Sequence, residues 1–499
     1  MAHPWEARVR FDGGDLDCGN GLLLLIRPHI DPLAPGELLE VRSTEISVDE
    51  DLPAWCRMTR NELVSHQKEG RASSFLIAKG AFVAPVAPTV RVQAPLPRPP
   101  VEVHHPTELP APAPAPAIPR LAVTGIGSWP RPRWLLSALH EHLQGRLDDA
   151  GFEEIADDAV RLAVRAQLDA GVDVVTDGEQ RRDSYASFVG GRLDNCQLVP
   201  ITDLLPYVED PEAFRAELAA LDVPAEQVRH PAVFGRLGRS RPIATGELGF
   251  VQGLTDRPVK VALPGPYLLT RTMWMECISD RAYRDREALA VDVVAVLRQE
   301  IAALLAAGAS LVQLDEPVLS EVVFGAPKQQ RSFMCGALGE RKDPAFELAF
   351  AAELLRSVTA GMPRERLGLH VCRGNWSPDE SVALRGDYGP LLPFLVAAPV
   401  GTLLLEGCTD RAGDVALLRA IPDEKRIGVG LVNQKLASVE TVHDVRARAR
   451  RAVDLFGADR LLLHPDCGFA TFADNPVASA RVAQAKLAVM TQVAQELRG

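Results

Sequence analysis

The sequence predicts an α/β protein: a (β/α)8 TIM barrel preceded by a small two-layer α/β sandwich, the two joined by a proline-rich linker. Three observations predict it. After residue 120, eight short apolar runs alternate with helical stretches, each run ending in polar, Gly or Pro residues. From Pro85 to Pro119 the chain carries 12 of its 39 prolines, a composition that suits neither helix nor sheet interior. Before it, strand-like "EARVRF", "LLEVRST" and "SSFLIAKG" are interleaved with two helix-like segments. The expected divisions are 1–82, 83–120 and 121–499.

In the first module "GLLLLIRPHIDPL" and "DLPAWCRMTRNELVSHQ" read as helices lying on one face of a small sheet, with "LLLLI" and Cys56 filling its core. The proline run reads as an extended, semi-rigid tether rising about 3.1 Å per residue. The barrel runs are "LAVTGIGS", "VDVVTDGE", "VKVALPGP", "LVQLDEP", "RLGLHVC", "GTLLLEGC", "RIGVGLV" and "RLLLHPDCG". An insertion over 184–254 follows the second run, and its "AVFGRLGRSRPIATGEL" reads as a hairpin.

A barrel gathers its chemistry at the C-terminal strand ends. Those ends here carry Ser128, Asp177, Glu179, Asp315, Glu316, His370, Cys372, Glu406 and Cys467. His370 and Cys372 lie two apart on one strand and so share a face. With Glu406 and Cys467 from later strand ends they make a four-ligand set suited to tetrahedral zinc. The carboxylate is the most exchangeable of the four, the one an incoming thiol would displace. A thiol on zinc ionises well below its free value of about 8.5, which makes a nucleophile at neutral pH. Cys408 and His464 read as structural.

The larger module resembles the catalytic C-terminal domain of cobalamin-independent methionine synthases, and more closely the shorter bacterial and archaeal relatives. "GIGSWPRP", "TDGE", "LPGP", "QLDEP", "HVC", "LLLEGC" and "PDCGF" match in order. The resemblance implies zinc on His370, Cys372, Glu406 and Cys467, and homocysteine held by Ile126, Ser128, Glu179 and Asp315. Glu179 and Asp315 would take the substrate ammonium, the backbone from Ile126 to Ser128 its carboxylate. Two departures stand out. Gln434 occupies the place of the family's proton-transferring His, and Trp274 lies two residues beyond the folate-stacking Trp. They predict weak or no activity with methyltetrahydrofolate.

The first module resembles TusA-type sulfur carriers in "LDCG", "LAPGELLEVRST" and "SSFLIAKG". The resemblance implies a persulfide on Cys18, although Cys18-Gly19-Asn20-Gly21 stands where the family has Cys-Pro-x-Pro. A thiol at a helix N-terminus is also acidified. Three functions follow as expectations: zinc-dependent methyl or alkyl transfer involving a small-molecule thiol and an alkyl donor; sulfur transfer from Cys18 to the zinc site, the tether raising its effective concentration; and a non-catalytic docking role for the first module. A cysteine desulfurase or another sulfur carrier would be the protein partner.

Other classes are disfavoured. The net charge of −12 argues against a nucleic-acid surface. No apolar run has the length of a membrane span. The eight cysteines have no framework spacing and the N-terminus no export pattern, so a cytoplasmic location with reduced thiols is expected.

Overall fold

A computed structural model of the chain describes residues 3–17, 22–82, 100–200, 229–274, 282–325 and 343–499, with 212 and 279. It divides into two compact units, Met1–Pro99 and Pro100–Gly499.

In the smaller unit strands β1 (Val9–Asp12), β2 (Leu38–Ser43), β3 (Glu62–Glu69) and β4 (Ala72–Ala78) form one sheet in the order β1-β2-β4-β3. β1 runs parallel to β2; β4 runs antiparallel to β2 and β3. Period-two alternation gives the sheet two apolar faces. Leu39, Val41, Phe75 and Ile77 pack against Leu22, Ile26 and Ile30 of helix Leu22–Ile30 and against Val48, Leu52, Trp55 and Cys56 of helix Val48–Thr59. Leu38, Leu76 and Ala78 face the other way and meet Trp5, Val64 and Phe82. The "NELVSHQ" segment expected to continue the second helix is β3 instead. Arg60 at φ 59° ends the helix in the left-handed region, and Gly70 at φ 63° turns β3 into β4.

The larger unit contains β5 (Ala122–Val123), β6 (Asp194–Pro200), β7 (Arg229–Gly238), β8 (Lys260–Pro264), β9 (Leu311–Asp315), β10 (Leu367–Val371), β11 (Thr402–Leu405), β12 (Arg426–Val432) and β13 (Leu461–Pro465). Seven of these form one parallel sheet, in the order β5-β13-β12-β11-β10-β9-β8. The expected closed barrel of eight strands is therefore corrected to an open seven-stranded sheet. The second run, "VDVVTDGE", is the one that falls short. It makes only single bridges, Thr124 to Val174 and Val175 to Val259. Gly178 at φ 71° and Glu179 at φ 55° then turn it out of the extended conformation. Every residue of β8, β9, β10, β11 and β13 is buried, as in a parallel sheet covered on both faces. Covering helices include Asp149–Asp169 and Arg286–Ala306, whose starts are capped by the Asp148 and Asp285 carboxylates.

The insertion does hold a hairpin, but "AVFGRLG" is a single strand within β7 whose antiparallel partner is the upstream β6. The "TGEL" that follows opens helix Thr245–Gln252. Residues 100–119 of the proline-rich run form neither helix nor strand and, as part of the larger unit, are hydrogen-bonded to the rest of it. Val101 N donates to Asn195 Oδ1 at 2.8 Å, and the Pro116 carbonyl accepts from Ser310 Oγ at 2.8 Å. No described helix is long and apolar enough to cross a membrane.

Candidate active site

Strand register builds the site. β10 pairs with β9 so that His370 lies directly beside Asp315, with the two side chains on the same face. His370 Nδ1 is 3.0 Å from Asp315 Oδ1, which leaves Nε2 as the outward nitrogen. Nε2 is buried and has no hydrogen-bond partner. Cys372 follows just past β10 and Cys467 just past β13. The ligand atoms of His370, Cys372 and Cys467 all lie within 4.8 Å of one another, and all three residues are buried. A histidine with one ring nitrogen unpartnered and the other held by a carboxylate, clustered with two thiols, fits a bound metal ion.

A hydrogen bond between the two thiols, with the His370 charge, holds Cys372 below the usual thiol range. The same bond, reinforced by burial, holds Cys467 well above it. Burial alone would lower the His370 imidazole, but the bond to Asp315 and the nearby Cys372 charge raise it above its ordinary value.

Glu406 stands just past β11. The charge of its carboxylate is felt at both thiols, but the carboxylate is not within the three-residue cluster. It is fully buried and accepts from Arg373 N at 3.2 Å, and from Arg411 Nε and an Arg411 terminal nitrogen at 3.2 and 3.3 Å. Arg411 is also paired with Glu380.

The cluster forms one wall of a small cavity. Ile126, Ser128, Glu179 and Asp315 line it together with His370, Cys372 and Cys467. Glu179 is buried with Oε2 unpartnered, and burial together with the Asp315 and Asp177 charges pushes its carboxyl up to about 7 against the pull of Arg182. The structure thus brings seven of the expected site residues around one cavity and sets Glu406 beside it. Cys18 lies outside the described residues.

Sequence reasoning missed Tyr185, Asn375 and Thr471 in the cavity wall. Asn375 Nδ2 donates to Gly468 O and Thr471 Oγ1, and its Oδ1 accepts from Gln434 Nε2 at 2.6 Å. Gln434 therefore reaches the cavity through Asn375. Lys260 and Gln313, beneath the cavity, were missed too. Their signal was a polar residue inside each of two apolar strands, Gln313 two positions before Asp315 and so on its face. The neighbouring Cys408 thiol donates to Asp466 Oδ2 at 3.1 Å, a structural bond.

A parallel α/β sheet with a metal-competent His–Cys–Cys cluster at its strand ends defines the class of this protein. A family model described as the cobalamin-independent synthase catalytic domain matches residues 121–496, and the chain belongs to that family. Among similar proteins, a methionine synthase from Saccharolobus solfataricus is 25% identical over 383 residues, 76% of this chain and 96% of the relative. One from Sulfolobus acidocaldarius is 26% identical over 349 residues, 70% of this chain and 85% of the relative. The structure of a B12-independent methionine synthase from Shewanella sp. W3-18-1 in complex with selenomethionine has the same fold. It aligns with a TM-score of 0.57 at 22% identity, over 76% of this chain and 98% of that one.

Proposed function

We propose that the larger unit transfers a methyl or alkyl group to or from a small-molecule thiol, using zinc held by His370, Cys372 and Cys467, with Glu406 as the fourth, exchangeable ligand. The observation that carries this reading is the unpartnered, buried Nε2 of His370 facing two thiols at the edge of a cavity. Zinc, when bound, lowers the pKa of a thiol and leaves the sulfur nucleophilic. The chain's own residues do the rest. Glu179 and Asp315 form the anionic wall that receives an ammonium group, and Ser128 with the Ile126–Ser128 backbone offers donors to a carboxylate. That pattern selects an amino-acid thiol such as homocysteine. Were Glu406 to give up a place on the metal, its carboxylate would not be stranded as a buried charge, because Arg411 pairs both of its oxygens.

The test is metal content and turnover together. Purified protein is expected to carry about one zinc per chain, and Cys467→Ser to carry little. Alkylation of homocysteine should stop on chelation and return with zinc, and methyltetrahydrofolate should serve poorly, with the Gln434 amide hydrogen-bonded to Asn375 where the family has a proton-transferring His. Full activity in chelated protein would refute the reading.

We also propose that the smaller unit is a TusA-type carrier whose Cys18 holds sulfur as a persulfide for use at the same centre. Its strand and helix order, and the start of helix Leu22–Ile30 shortly after Cys18, support this.

A further inference from the structure

Buried lysines are rare because desolvating an ammonium is costly. Lys260, at the start of β8, is only 1% exposed, and its environment offers an ammonium what it needs. Its Nζ donates to Gly125 O at 2.6 Å, Ile126 O at 2.7 Å and Gln313 Oε1 at 2.5 Å. Three acceptors match the three N–H donors of the charged form. The contact with Gln313 has a consequence further on. With Oε1 committed to Lys260, the amide must present Nε2 on its other side. Nε2 donates there to Asp315 Oδ1 at 2.7 Å, the oxygen that also engages His370 Nδ1. The orientation of the amide is thus fixed by the Lys260 N–H donor on one side and a carboxylate acceptor on the other.

We propose that Lys260 is a positioning residue that sets both halves of the site through one unbroken set of hydrogen bonds. One arm holds the Gly125–Ile126 carbonyls and so the backbone leading into Ser128, a cavity residue. The other runs through Gln313 and Asp315 to His370, fixing the ring so that Nε2 faces the two thiols. The proposal rests on the zinc–thiol reading of the site. Its bland competitor is a buried ammonium that only ties strands together, contributing to stability and to nothing else.

Cobalt(II) in place of zinc separates the two, because its absorption spectrum reports ligand geometry. Gln313→Glu keeps an acceptor for Lys260 but removes the N–H that Asp315 receives; Lys260→Met removes the source of the chain. Both variants are expected to bind cobalt about 10- to 100-fold more weakly than the wild type, as disturbance of a ligand's supporting hydrogen bond generally does. Their d–d bands should shift, and homocysteine should perturb those bands only at higher concentration. Should Lys260→Met fail to fold, Gln313→Glu decides alone. Folded variants with wild-type cobalt affinity, spectrum and homocysteine response would overturn the positioning role. Wild-type protein that binds neither cobalt nor zinc would overturn the zinc reading, and this proposal with it.

Discussion

Glu179 occupies a position that opposes it in two ways. Its backbone sits at φ 55°, a region that costs a side chain about 1–2 kcal/mol, and its carboxylate is buried with one oxygen unpaired. Room for it exists only because the facing residue is Gly127, where a Cβ would come within 2.1 Å of Oε1. Strain and burial together are what the proposed role of Glu179 in receiving a ligand calls for. Because burial raises its pKa to about 7, folded protein keeps a proton that the unfolded chain releases near the ordinary carboxylate value. Glu179 therefore favours the folded state at low pH, and that contribution is lost as pH rises through about 7. Relative to Glu179→Gln, the wild type should lose stability to denaturant between pH 5 and 8, while its affinity for an amine-bearing thiol rises over the same interval. Parallel stability curves for the two proteins would show that the carboxyl is not held neutral. The sequence made Glu179 legible as a strand-end acid. It did not reveal the tight approach to Gly127, which depends on where two separate loops cross.

The "DEP" segment shows how one strand end serves two tasks. Neighbouring residues of a strand point to opposite sides, so Asp315 enters the cavity while Glu316 turns the other way. Glu316 accepts from Tyr267 N at 2.8 Å and Leu268 N at 2.9 Å, capping the buried start of helix Pro266–Met273. Gly265 is required there, since a Cβ would lie 2.2 Å from Glu316 Oε1. Glu316→Ala would leave two buried N–H groups unpaired, at a cost of about 1–3 kcal/mol each. The expected result is a lower thermal midpoint with zinc content unchanged; loss of zinc without loss of stability would place Glu316 in the site instead. At this scale apolar runs identified strands well when they were continuous and bounded by Gly or Pro, as in "VKVALPGP" and "LVQLDEP". They failed where the signal lay outside the run. "VDVVTDGE" is apolar enough for a strand but is cut short by the left-handed turn at Gly178 and Glu179. "NELVSHQ" has no strict alternation because β3 is an edge strand, half-exposed along its length. The arginine pairing of Glu406 was invisible for a related reason: Arg411 reaches it from the short helical turn Asp410–Ala412, which no periodicity announces.

Among the described residues the main apolar cores of the two units have no residue in common, one around Leu52 and Phe75 and one around the seven-stranded sheet. Each unit thus has its own packing, and the proposed carrier and metal chemistries can be separated by substitution. Cys18 and the zinc ligands can be tested separately and then together. Incubation with a cysteine desulfurase and its substrate should add the mass of one sulfur to the intact protein. The addition should vanish in Cys18→Ala and persist in Cys467→Ser, because metal binding in one core gives no support to a thiol in the other. Conversely, Cys18→Ala should keep its zinc. If the carrier feeds the centre, sulfur loaded on Cys18 is consumed by an added small-molecule acceptor in the wild type, and stays in place in Cys467→Ser. Equal loss of the sulfur from both proteins would mean that the persulfide is discharged without the metal, leaving the fusion to a docking role. Failure of the wild type to load at all would remove the carrier reading while leaving the zinc–thiol proposal for the larger unit untouched.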